Sequence, residues 1–161
     1  MRQTLLVLPA LFLLAGPPPA AADAEGEHVF ETGKIRIVHP WARAAEAGGN
    51  TLVFMEIENG GEADLLAGAE SAVAASARIV GMMLKDGTQA AQEIGPIEIP
   101  TGDFVLDPGG VAIELVGLKT AIAAGDEIDL ELRLKAAGDM HLHADVEAAD
   151  ATQHSHAGHA H

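Results

Sequence analysis

Ile128, Leu130, Leu132 and Leu134 alternate strictly with Asp129, Glu131, Arg133 and Lys135. A period of two puts the aliphatic side chains on one face and the charges on the other, as in a half-buried β-strand. The pattern recurs in short runs, and no run of helical period competes with it. Val111, Ile113 and Leu115 alternate with Ala112, Glu114 and Val116, residues 34–38 alternate likewise, and residues 51–59 end in strict alternation. Turn chemistry separates the runs: Asn59-Gly60-Gly61, Asp86-Gly87, Pro100-Thr101-Gly102, Asp107-Pro108-Gly109-Gly110, Gly125-Asp126 and Ala137-Gly138-Asp139. Proline presets φ, and glycine and asparagine accept positive φ, so each cluster ends a strand. Residues 97–119 are expected to supply two strands at the centre of the fold. Further strands are expected over residues 64–69, 77–84 with a bulge at Gly81, and 140–146. Pro40 is expected to end the first strand, and the Ala-rich residues 71–77 to form a helical turn. Short strands at such spacing predict an all-β sandwich of about eight strands.

The ends differ from this middle. Arg2, an apolar run over residues 5–15, Gly16-Pro17-Pro18-Pro19 and then small residues read as a signal peptide, 1–22. Ala20-Ala21-Ala22 and Ala22-Asp23-Ala24 are acceptable cleavage sites. The apolar run is short for a bilayer, so the expected product is exported to the periplasm with no membrane span after cleavage. Residues 23–33 read as an acidic linker, 34–147 as the sandwich domain, and 148–161 as a disordered, His-rich tail.

The net charge is −15. Such a surface repels nucleic acid and attracts cations. There is no cysteine, which excludes disulfides, thiolate ligands and a lipid-bearing cysteine. A metal must then bind through His, Met, carboxylate or backbone oxygen. No P-loop, GxSxG or HExxH motif is present, and the carboxylates are scattered, so no enzyme is expected.

Histidine is the chemical signal. Six of the eight histidines lie within residues 141–161: His141, His143, His154, His156, His159 and His161. Imidazole is a borderline ligand for Cu(II), Zn(II) and Ni(II) and also accepts Cu(I). His141 and His143 share one face of a strand and can bite one metal. His28 and His39 look isolated in sequence, and His39 before Pro40 reads as a strand-end polar residue. Trp41 is expected to cap the core and Met55 to lie in it, while Met82-Met83 reads as one core and one surface side chain.

Several blocks resemble the PCu(A)C family of periplasmic copper chaperones: Pro40-Trp41-Ala42-Arg43, Phe54-Met55-Glu56-Ile57-Glu58-Asn59 with Gly61, Asp64 and Leu66, Ile99-Pro100-Thr101-Gly102, Pro108-Gly109-Gly110 and Gly117-Leu118-Lys119. The resemblance implies a cupredoxin-like Greek-key β-sandwich. It also implies copper as cargo, and a copper-accepting partner such as a cytochrome oxidase subunit or another copper chaperone. The family's ligands, a His, a Met and a His-x-Met, fall here on Val80, Ala91, Ala112 and Glu114, and none can take that role. The leading expectation is therefore a copper-binding protein, Cu(I) or Cu(II), whose metal contact has moved to the C-terminal histidines. Zinc or nickel buffering by the same residues, and a metal-free interaction module, are the alternatives.

Overall fold

The computed structural model describes residues 28–155. The expected signal peptide and His156, His159 and His161 lie outside these residues. Eleven strands follow in order: β1 (Val29–Thr32), β2 (Ile35–Arg43), β3 (Thr51–Asn59), β4 (Asp64–Glu70), β5 (Ala74–Lys85), β6 (Thr88–Glu93), β7 (Ile97–Ile99), β8 (Gly102–Leu106), β9 (Val111–Leu118), β10 (Glu127–Leu134) and β11 (Gly138–Glu147). The described residues contain no helix, so none long and apolar enough to cross a membrane.

The strands hydrogen-bond along one path, β6-β5-β9-β3-β2-β11-β10-β4-β7, with β1 added to β2 and β8 to β3. Every pairing is antiparallel except β11 on β2, where Asp145, Val146 and Glu147 face Trp41, Ala42 and Arg43 in parallel. The path curls on itself, so that β4 also approaches β5. The result is the β-sandwich that the alternating runs predict, in the cupredoxin-like form that the family resemblance implies.

Its core is built from the apolar face of each run. Ile37 of β2, Val53 and Ile57 of β3, Ile113 and Leu115 of β9, Leu130 and Leu132 of β10, and Leu142 and Ala144 of β11 pack into one cluster. Each such aliphatic side chain larger than alanine contributes about 1.5–3 kcal/mol when fully buried, so the core is expected to stand without a metal. A second, smaller cluster joins Trp41, Phe54, Val80 and Ala112. The Trp41 and Phe54 ring centroids are 4.5 Å apart. Asp64 locks one end of the sandwich: its Oδ1 accepts from the Leu65 and Ala136 amides, both at 2.7 Å, and Oδ2 from the Ala137 amide at 2.9 Å. Burial pushes this carboxyl up, but the backbone N–H donors outweigh burial and hold it below the ordinary carboxylate value.

Several local expectations change. The stretch read as a linker contributes β1. Pro40 does not end β2; the strand passes through it, with a break in register between Val38 and Trp41. No helical turn spans residues 71–77, because Ala74 and Ala77 join β5 and face Leu118 and Leu115 of β9. Gly81 carries no bulge, as it pairs regularly with Gln92 and Val111. Asp86-Gly87 does turn the β5–β6 hairpin, with φ of +52° and +79°.

Candidate metal site

The four positions that the copper-chaperone resemblance assigns to ligands come together in space. Val80 faces Ala112 across β5 and β9, Arg78 faces Glu114, and Ala91 of β6 faces Met82. Their chemistry is that of a small core. Val80 and Ala112 are fully buried against Trp41 and Phe54, with Ala91, Leu52 and Ala151 packed around them. Glu114 is buried too, and ion-paired: its Oε2 accepts from Arg78 Nε at 2.7 Å and its Oε1 from Asn50 Nδ2 at 3.0 Å. The hydrogen bond and charge of Glu114 raise the Arg78 guanidinium above its ordinary value. The apolar trio around Glu114 offers no donor that a soft Cu(I) ion prefers.

A different cluster of imidazoles lies along the neighbouring strands. β1 and β2 form a tight hairpin around Gly33, and Val29 facing Val38 brings His28 beside His39. The His39 amide donates to the His28 carbonyl at 2.8 Å. His39 sits in the register break of β2 with φ of +46°, a left-handed conformation that costs a non-glycine residue free energy and recurs at functional sites. The third ring comes from beyond β11. Residues 148–155 turn back over the sandwich, held where Arg43 Nε donates to the Ala151 carbonyl at 2.9 Å and Ser155 N and Oγ donate to Glu147 Oε1 at 2.9 and 2.6 Å. This path buries His154, which is only 3% exposed.

The rings of His28, His39 and His154 lie 6.1, 5.8 and 5.6 Å apart, centroid to centroid. Asp145 of β11 stands among them. Its Oδ2 is 3.0 Å from His28 Nδ1 and 3.0 Å from His154 Nε2, and Glu147 Oε1 is 3.6 Å from the same His154 nitrogen. A metal–imidazole bond of about 2 Å places ring centres about 5–6 Å apart when two rings share an ion, which matches the spacing here. Among the described residues no group of three or more His, Cys, Asp or Glu side chains is placed to hold a metal ion as it stands; the ring nitrogens of His28 and His154 are turned onto Asp145. A shallow recess of about 220 Å³ reaches His39 and His154 beside Trp41, Val105 and Pro108.

The sequence reading placed its metal contacts on six C-terminal histidines. Of these, the structure puts His154 in the cluster. His141 and His143 lie on the outer face of β11, against carboxylates of β10. His156, His159 and His161 lie outside the described residues. His28 and His39, which look isolated in sequence, are in contact, and Asp145 and Glu147 were not singled out. A hairpin turn at Gly33-Lys34 was the missing signal, because residues equidistant from it, 28 and 39 included, must face each other.

The sequence profile of the LpqE-like family matches residues 35–146. A protein of Leifsonia xyli subsp. xyli, named "Putative lipoprotein Lxx21020", is 32% identical over 118 residues, covering 71% of this chain and 69% of that protein. The copper-bound PCuAC domain from PmoF2 superposes with a TM-score of 0.62 at 28% identity, covering 75% of this chain and 98% of that domain. The apo PCuAC domain from PmoF1 gives a TM-score of 0.64 at 27% identity, covering 75% and 99%.

Proposed function

Because this chain belongs to the LpqE-like family of PCu(A)C-type proteins, we propose that it is an exported, copper chaperone-like protein that captures copper outside the cytoplasm. Its site is His28, His39 and His154 with Asp145, and its cargo passes to a copper-accepting protein such as an oxidase subunit or a second chaperone. The observation that carries this reading is three imidazole rings at shared-ion spacing around one carboxylate. The copper-bound state of the PmoF2 domain supports copper as the metal.

The donor set points to the oxidised ion. Imidazole nitrogen with carboxylate oxygen suits Cu(II), whereas Cu(I) favours sulfur donors, and none stands at positions 80, 91, 112 or 114. Zinc fits the same donors but follows copper in affinity. The protein's own groups divide the work. His39 and His154 face the recess, Asp145 orients two of the rings, and Glu147 holds the returning segment through Ser155.

Titration of Cu(II) into the exported chain, followed by electron paramagnetic resonance, tests this. The spectrum should show coupling to more than one imidazole nitrogen, and His28→Ala and His154→Ala should each lose coupling and affinity. Unchanged spectra and affinity in both variants would remove the cluster as the site.

A further inference from the structure

We propose that the outer face of the β10–β11 ribbon is a second, separate site for a borderline divalent cation, Cu(II) or Zn(II), built from His141, His143, Asp129 and Glu131. In β11 the odd-numbered residues from 141 face outward while Met140, Leu142 and Ala144 are buried. In β10 the same holds for Glu127, Asp129 and Glu131 against Ile128 and Leu130. Antiparallel register then sets Asp129 opposite His143 and Glu131 opposite His141. Two imidazoles and two carboxylates thus occupy one patch by strand geometry.

The side chains are already paired across the ribbon. His143 Nδ1 is 2.7 Å from Asp129 Oδ1 and 3.7 Å from Glu127 Oε1, and His141 Nε2 is 3.1 Å from Glu131 Oε2. Neighbouring ligands of one ion with bonds of about 2 Å lie about 3 Å apart, so a nitrogen–oxygen pair at this spacing can flank an ion seated to one side of the line that joins them, once the proton shared in the metal-free pair has left. His143 is also held from the side, with the Phe30 ring edge-on at a centroid distance of 5.9 Å. Beside His141, a shallow recess of about 350 Å³ is lined by Glu70, Ser71, Asp129 and Glu131, so further carboxylate oxygen is at hand.

This patch shares no side chain with the cluster at Asp145 and does not rest on the reading given to that cluster. The two are neighbours, however. Asp145 follows His143 on the same strand face, one two-residue step of about 7 Å away. The outer patch is the more exposed of the two, with His141 and Asp129 side chains 81% and 79% accessible against 2% for His154. Water competes there, so the outer site is the weaker.

Zinc titration of the exported chain, followed by calorimetry and by the histidine ring resonances, tests the proposal. The wild type should bind in two phases, the weaker moving the His141 and His143 resonances. His141→Asn/His143→Asn, both at the surface, should lose the weaker phase and keep the tighter. His154→Ala should do the reverse, and a His154→Ala protein that keeps both phases would count against the inner cluster alone. Two phases retained in the double variant would overturn the outer site. So would a weak phase that vanishes in 0.5 M salt, roughly a 4–5 Å screening length, because that marks diffuse attraction to the acidic surface.

Discussion

His39 joins backbone strain to the proposed metal chemistry, and two substitutions separate them. At φ of +46° an L-residue pays about 1–2 kcal/mol relative to its right-handed conformation. Glycine escapes this penalty but loses about 0.5–1 kcal/mol more conformational entropy on folding than alanine does. His39→Gly should therefore be more stable than His39→Ala by about 0.5–1 kcal/mol. In a domain of this size that is a difference in melting temperature of about 2–5 °C. Both variants lack the ring, so both should lose copper affinity alike. Loss of partners that merely orient ligands costs about 10–100-fold, so loss of a ligand itself should cost at least about 100-fold. Thermal unfolding by circular dichroism in chelator measures the first effect, and copper titration against a competing chelator the second. Equal melting temperatures would show that the bulge relaxes and stores no strain. Wild-type copper affinity in both variants would show that His39 is no ligand, whatever their stability.

Three further outcomes follow from groups away from that bulge. Asp64 is held ionised by backbone donors, so its contribution to stability is present at neutral pH and lost as pH falls through its lowered folded value; Asp64→Asn should cost about 1–3 kcal/mol at pH 7, and the gap in urea midpoint should shrink below about pH 4, a constant gap refuting the assignment. Glu114→Ala should cost about 1–3 kcal/mol by stripping Arg78 and Asn50 of their buried acceptor, while an unchanged urea midpoint would show the pair idle. Chelator should leave the melting temperature of the metal-free protein unmoved, and Cu(II) at 100 times its dissociation constant should raise stability by about 2.7 kcal/mol; a melt that collapses in chelator would reveal a structural metal.

The sandwich was legible because strict alternation, as in residues 128–135, leaves only one face that can enter a core, and each turn cluster fixed where a strand stops. Local choices were harder. Ala74 and Ala77 favour a helix by propensity, yet their small side chains are what β5 needs against Leu118 and Leu115 of β9. Pro40 lacks an amide and read as a strand end; the fold instead spends that missing donor on a bulge, where proline is tolerated. The residues of the candidate site were half visible. His154 stands in a conspicuous His-rich run, but His28 and His39 are single residues whose proximity depends on a hairpin register. Asp145 belongs to a face whose polar residues look like ordinary solvated positions until the chain beyond β11 folds back over them.

That returning segment links the small aromatic cluster to the histidine cluster. Ala151 packs on Trp41, Phe54, Val80 and Ala112, and two of these, Val80 and Ala112, are positions to which the family resemblance assigns ligands. Three residues later the same segment delivers His154 to Asp145. Polar ligands at positions 80 and 112 would leave a hydrated, partly charged surface there, which an alanine and its backbone could not cover without loss. Valine and alanine make it a dry seat instead, and Arg43 closes it by bonding the Ala151 carbonyl while lying 5.3 Å over the Phe54 ring. The apolar seat under Ala151 and the placement of the His154 ring beside His28 and His39 are thus parts of one arrangement, since the segment anchored on the first carries the second.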